Sequence, residues 1–154
     1  MEEILEQDIM EEDNLGDRYL TFQLDEEIYG IDLKYVKEIV GMQAITAIPD
    51  TPDYIRGIIN LRGKIIPVMD VRLRFMKELK EYNERTCVIV VNVDDQSTGL
   101  IVDSVSEVIS IPEEEIAAPP EMGKEGNKFI RGVGTSGNEV KLLLNCEKLL
   151  NYQE

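Results

Sequence analysis

The sequence predicts a mostly β fold of small barrels or a sandwich, with few helices, on three observations. Short segments rich in β-branched and aromatic residues recur along the chain and are bounded by turn formers. Only three stretches have helical spacing, and all are short. The second half of the chain also repeats the order of the first.

In chain order, the strand-like segments are RYLTFQL (18–24), EIYGIDL (27–33), YIRGIINL (54–61), KIIPVMDV (64–71), RTCVIVVNV (85–93), TGLIVDS (98–104), KFIRGV (128–133) and EVKLLLN (139–145). Asp25-Glu26 and Asp94-Asp95-Gln96-Ser97 read as hairpin connections, and Asn60-Leu61-Arg62-Gly63 as a hairpin turn in which Gly63 supplies a positive φ. Helical spacing is confined to LKYVKEIV (33–40), FMKELKEY (75–82) and CEKLL (146–150).

The repeat shows when the chain is laid on itself. A shift of 69 places GIDLKYVKEIV on GLIVDSVSEVI, matching Gly30 with Gly99 and Val36 with Val105. A shift of 75 places Ile55-Arg56-Gly57 on Ile130-Arg131-Gly132 and Asp70 on Asn145. The change of shift falls in a Pro/Glu-rich connection, IPEEEIAAPPEMGKEGN, where loops absorb insertions. Two modules, roughly 18–82 and 83–150, are therefore expected to face each other as small barrels across a cleft. Gly57 and Gly132 would each mark a bulge or close backbone approach in a barrel strand. Val36, Ile39 and Val40 from one module, with Val105, Val108 and Ile109 from the other, would line the two walls of the cleft.

Composition narrows the function. The 154 residues carry a formal charge of −15, and residues 1–17 hold eight of the 31 acids and none of the 16 bases, leaving −7 for the rest. Residues 1–17 are expected to form an acidic, disordered tail. The acidity disfavours nucleic acid and anionic membranes as partners. No apolar run approaches the roughly 18 residues of a membrane span, and the N-terminus is acidic where a secretory signal is basic, so a cytoplasmic location is expected. Histidine is absent, which removes the commonest general base, Ser-His and Cys-His nucleophiles and most zinc sites. Cys87 and Cys146 lie beside aliphatic residues, far apart, and read as buried reduced thiols.

Against the acidic whole, residues 54–77 form a local basic region: Arg56, Arg62, Lys64, Arg72, Arg74 and Lys77 against the single acid Asp70. Arg62 would project from a rigid turn there. Gly132-Val133-Gly134-Thr135-Ser136-Gly137 matches a dinucleotide-binding pattern, but a strand follows it rather than a helix, so it reads as a glycine-rich hairpin. A hydrolase of the aspartic type would need two close carboxylates, with Asp70 or Asp103 as candidates. A barrel for single-stranded nucleic acid would need stacking platforms that 6% aromatic content scarcely provides.

The run Arg56-Gly-x-x-Asn-Leu-Arg-Gly63, followed by apolar-Pro-apolar and Asp70, resembles the CheW-like family of bacterial chemotaxis coupling proteins. The likeness extends through YLTFQLDEEIYGIDLKYVKEI, VIVVNVDDQSTGLIVDSVSEVISI and CEKLL, covering about Arg18 to Leu150. It implies two packed five-stranded SH3-like barrels with a few short helices. The implied role is a non-enzymatic adaptor, without cofactor or metal, that links the cytoplasmic tip of methyl-accepting chemoreceptors to the regulatory domain of the histidine kinase CheA in signalling arrays. By the same resemblance, a receptor-binding groove is expected at Val36, Gly57, Arg62 and Val108, with Ile39 and Val105 added from the repeat. Gly63 and Gly132 are expected to be structural turns.

Overall fold

The computed structural model describes residues 16–119 and 128–151. The tail expectation for residues 1–15 lies outside them; Gly16 and Asp17 form a turn leading into the first strand. Ten strands follow: β1 (Arg18–Leu24), β2 (Glu27–Asp32), β3 (Val36–Gly41), β4 (Ile55–Leu61), β5 (Lys64–Asp70), β6 (Cys87–Val93), β7 (Gln96–Val102), β8 (Ser104–Ser110), β9 (Ile130–Ser136) and β10 (Glu139–Leu144). Among the described residues the helical segments are Val71–Arg74, Cys146–Leu150, the 3-10 turns Leu33–Tyr35 and Glu113–Glu115, and a 3-10 stretch at 128–129 leading into β9.

The strands divide into two five-stranded sheets, ordered β8-β1-β2-β10-β9 and β3-β6-β7-β5-β4. All neighbours are antiparallel except β2–β10 and β5–β7. Neither sheet is built from a contiguous half of the chain, which corrects the expected boundary between modules at residue 82. Each repeat lends its first hairpin to the other's barrel: β1–β2 joins β8, β9 and β10, while β6–β7 joins β3, β4 and β5. The repeat-matched glycines explain the closure. Gly30 stands opposite Leu143 and Gly99 opposite Val68, in the two parallel pairs. A Cβ at Gly30 would sit 3.0 Å from the Leu143 side chain, and one at Gly99 would sit 2.9 Å from that of Val68. Each glycine thus clears space for the swapped strand.

The aromatic-Ile-Arg-Gly motif, written twice, is the joint that makes this work. In β4 the pairing with β5 slips between Ile55 and Gly57, and between β9 and β10 it slips between Leu143 and Leu144, leaving Arg56 and Arg131 as equivalent bulged residues. The aromatic carbonyls receive the next corner: Asp70 N–H donates to Tyr54 O at 2.7 Å, and Asn145 N–H to Phe129 O at 2.8 Å. Asp70 and Asn145 then cap the short helices, accepting from the amides of Leu73 and Lys148. Between the two repeats, the Arg74 guanidinium lies 4.5 Å from the Tyr54 ring centroid and 4.6 Å from that of Phe129. The same side chain donates to the carbonyls of Leu149, Asn151 and Lys148, gripping the end of the C-terminal helix.

Burial follows this plan. The largest core lies between the sheets, where Leu20, Phe22, Leu24 and Ile31 meet Met69, Ile89, Leu100 and Val102. Smaller cores fill each barrel: Ile59, Ile66, Val68, Val88 and Ile101 in one, Tyr19, Ile109, Ile111 and Leu143 in the other. Because the shared core is the largest, each barrel depends on the other for most of its apolar burial.

Two helices expected from spacing are not helices. Residues 36–40 of LKYVKEIV lie in strand β3, and residues 75–82 are irregular apart from a turn after Arg74. In β3 the pairing to β6 slips between Val36 and Glu38, so Lys37 is an extra residue and buried Val36 and Ile39 stand three apart. A bulge therefore writes helical spacing into a strand. Its repeat equivalent, β8, carries the matching irregularity: β1 slips against it between Leu20 and Phe22, opposite Val108 and Val105. The Thr21 hydroxyl fills the gap, donating to Glu107 O at 2.8 Å and accepting from Glu107 N–H at 3.0 Å. The glycine-rich segment 132–137 forms β9 and its turn into β10, as the hairpin reading expects.

Candidate partner-binding groove

Strands β3 and β8 are outer strands of their sheets and related by the repeat, and a groove of about 520 Å³ opens between them. One wall is Ile39, Val40 and Gly41 with Cys87 behind; the other is Gln23, Ser104, Val105 and Ser106, with Arg85 at one end. The apolar lining is Ile39, Val40 and Val105, with Ile39 itself 5% exposed at the edge of the shared core. Cys87 is a free thiol, half-buried here rather than fully buried as expected. Burial raises the Cys87 thiol pKa, and Cys146, buried, is pushed up to about 12.

The six residues expected at the groove separate into distinct sets. Ile39 and Val105 line it. Val36 and Val108, their repeat mates, do not line it: Val36 is as buried as Ile39, each 5% exposed in the shared core, and Val108 is half-buried beside Gly16, Asp17 and Arg18. Gly57 is a packing position and does not line this groove. Its φ is +143°, and a Cβ there would lie 2.1 Å from the Thr46 carbonyl oxygen, because Thr46 pairs with Ile58 across the bulge. Gly132 is likewise in a strand rather than a turn, packed under Ile116 and Ala117 where Ala117 pairs with Val133. Gly63 is the turn residue expected, with φ +88°, and Arg62 before it has φ 54°. Both dihedrals are positive, as the tight hairpin twist requires.

Arg62 therefore stands on a rigid turn, and its Nη2 donates to the Glu38 carboxylate at 2.5 Å. Glu38 precedes groove-lining Ile39 on β3, so the pair bridges the β4–β5 turn to the strand forming one wall. The Arg62 side chain stays 68% exposed, and a pair this open contributes about 0–1 kcal/mol to stability. Its guanidinium thus sits at the surface, engaged by Glu38.

Beyond the groove lies a second concavity, about 650 Å³, that shares Gln23, Arg85 and Ser104 with it. Arg72 is buried at its centre and donates from Nη1 to Asp25 Oδ1 and Asp103 Oδ2, both at 2.9 Å, and from Nε to Glu78 O at 2.9 Å. The hydrogen bond from Arg72 holds the Asp25 carboxyl below its ordinary range. Asp70, nearby, accepts from Leu73 N–H on Oδ1 and from the Tyr82 hydroxyl on Oδ2 at 2.7 Å. Both candidate carboxylates of the aspartic reading are therefore engaged in structural bonds. Sequence reasoning missed Gln23, Arg85, Ser104 and Ser106 at the groove; they are polar, are brought together from β1, β8 and the turn before β6, and have no periodic signature.

Comparison with known proteins agrees with this architecture. The CheW-like domain model matches residues 18–154. The chemotaxis protein CheW of Klebsiella aerogenes is 39% identical over 143 residues, covering 92% of this chain and 86% of that protein. Its counterpart in Treponema pallidum is 38% identical, covering 88% and 82%, and that of Bacillus subtilis is 36% identical, covering 90% and 89%. The crystal structure of the scaffolding protein TtCheW from Thermoanaerobacter tengcongensis superposes with a TM-score of 0.82 at 38% identity, covering 89% of this chain and 94% of that one. The swapped pair of five-stranded barrels is thus the CheW fold, and the chain belongs to the CheW-like family of chemotaxis adaptors.

Proposed function

We propose that this adaptor joins the cytoplasmic tip of a chemoreceptor to the histidine kinase CheA without performing chemistry of its own, the receptor's helical hairpin lying in the β3–β8 groove. The observation that carries this reading is the apolar floor of Ile39, Val40 and Val105 between two outer strands, with Arg62 held beside it by Glu38. An amphipathic helix seats its apolar face in such a trough, and a fixed guanidinium orients it through a charged hydrogen bond. Val36 and Val108 act from behind, by setting how β3 and β8 pack. The kinase contact is barrel against barrel, on a surface distinct from the groove, so both partners are held at once in one geometry. The adaptor works in the cytoplasm and reaches the membrane only through the receptor; among the described residues no helix is long and apolar enough to cross one. It needs no cofactor or metal and binds no nucleic acid.

Titration calorimetry of the purified chain against an isolated CheA regulatory domain, then against a soluble receptor cytoplasmic fragment, tests this. Saturable binding to both, with receptor binding retained in the presence of kinase domain, is the expected result. A folded protein that binds neither would overturn the reading.

A further inference from the structure

Arg72 belongs to neither groove wall, yet it touches every segment from which one wall is hung. It projects from the turn after β5, in one barrel. Its first carboxylate partner, Asp25, is in the β1–β2 turn of the other barrel, and its second, Asp103, is the single residue linking β7 to β8, where the chain crosses between sheets. Asp103 Oδ2 also accepts from Asp25 N–H at 3.0 Å, closing a triangle of hairpin tip, crossover and guanidinium. The Glu78 carbonyl adds the segment after the helix.

Immediately beyond these anchors come the groove residues. Gln23 precedes the Asp25 turn by two, Ser104 follows Asp103, and Gln23 and Ser104 are paired across β1 and β8. With a side chain only 10% exposed, Arg72 has little freedom, and a buried charge stripped of a partner is costly, so the cluster has one low-energy arrangement.

The two-fold of the fold supplies a control. By the shifts of 75 and 69, Arg72 corresponds to Glu147, Asp25 to Asp94 and Asp103 to Lys34. At that corner Glu147 accepts instead from the Tyr35 hydroxyl at 3.3 Å, and Lys34 lies over the Tyr35 ring. Among the described residues the guanidinium pin therefore stands on one side of the pseudo-symmetry, the side where the seam opens at Ile39 and Val105.

We infer that Arg72, through Asp25 and Asp103, is the positioning residue that sets the separation of β8 from β3 and so the width of the groove for its helical occupant. It rests on the receptor-tip reading of the groove given above. The chemistry expected of the occupant is unchanged; what Arg72 fixes is the fit.

The test uses the full chain carrying Arg72→Met, Arg72→Lys or Asp25→Asn, read in two ways. In the free protein, amide resonances of Ser104, Val105 and Ser106 should move relative to wild type, while those of the distant β9–β10 turn stay in place. In calorimetry, affinity for the receptor cytoplasmic fragment should fall roughly tenfold, equivalent to about 1.4 kcal/mol, with affinity for the kinase regulatory domain unchanged and Arg72→Lys intermediate. Asp25 is half-exposed, so Asp25→Asn decides the matter if the Arg72 variants fail to fold. Unmoved groove amides, or equal losses toward receptor and kinase, would overturn the inference. If wild type binds no receptor fragment, the receptor reading fails and the amide shifts alone decide whether Arg72 sets the groove.

Discussion

Gly57 and Gly63 stand six residues apart in one hairpin and obey different physics. Gly57 faces a steric wall: its φ is +143° and the space for a Cβ is taken by the Thr46 carbonyl. Gly63 has φ +88° with nothing within 4 Å of a Cβ. Gly57→Ala is expected to cost several kcal/mol or abolish folding, whereas Gly63→Ala should cost about 1–2 kcal/mol from backbone strain alone. Thermal unfolding of the two variants checks the contrast, and equal losses would contradict it. Arg62 is a third case, with φ 54° carried by an arginine rather than a glycine. Arg62→Ala keeps that dihedral with a Cβ and removes a mostly exposed ion pair. Its thermal midpoint should stay within a few degrees of wild type while receptor-fragment affinity falls about tenfold or more; a matching loss of stability would make Arg62 structural. The residue-level reading of the sequence found all three positions, but it placed Gly57 in the groove because a sequence cannot say which backbone approaches a glycine.

The informative elements are β3 and β8, the outer strands that border the groove. One reads in sequence as a helix and the other runs on from the preceding strand with its own start unmarked. The cause is shared: a bulge at equivalent places breaks the two-residue alternation and sets paired apolar residues three apart. An unbulged strand such as β6, a continuous β-branched run CVIVVNV buried over Val88–Val91, is legible without alternation. Accessibility along β6 gives a chemical check. Cys87 lies at its start, half-buried in the groove, while Cys146 sits fully buried at the head of the C-terminal helix with its thiol pushed up to about 12. Under native conditions at neutral pH, a thiol reagent should modify Cys87 slowly and Cys146 only on unfolding, since the thiolate is the reactive form. A bound receptor fragment should protect Cys87. Mass spectrometry of the labelled protein reads both, and rapid native labelling of Cys146 would contradict the packing described.

For the whole molecule, the exchange of hairpins between repeats makes the fold one cooperative unit. A fragment of residues 18–82 keeps β1–β5 but lacks the β6–β7 hairpin that pairs with β3 and β5. A fragment of residues 83–150 lacks β1–β2 in the same way, and both lose the shared core around Phe22 and Leu100. Neither fragment is expected to show a cooperative unfolding transition alone, and mixing them should restore one. A sharp transition in either isolated half, by circular dichroism, would show that a repeat can close on its own hairpin.

The sequence by itself determined the strand-rich class, the hairpin turn at Gly63, the repeat with its two shifts and its match of Asp70 with Asn145, and the CheW-like kinship carried by residues 56–70. Those features are local or comparative, written in the spacing of a few neighbouring residues. Only the tertiary structure decided that the repeats exchange hairpins, that of the equally buried Val36 and Ile39 only Ile39 borders the groove, and that Arg72 joins the two barrels. An identical apolar pattern serves a strand in its own barrel or in its neighbour's. Which one it joins depends on closing pairs as distant as Gly30 with Leu143, and that energy lies in contacts between segments, not within any of them.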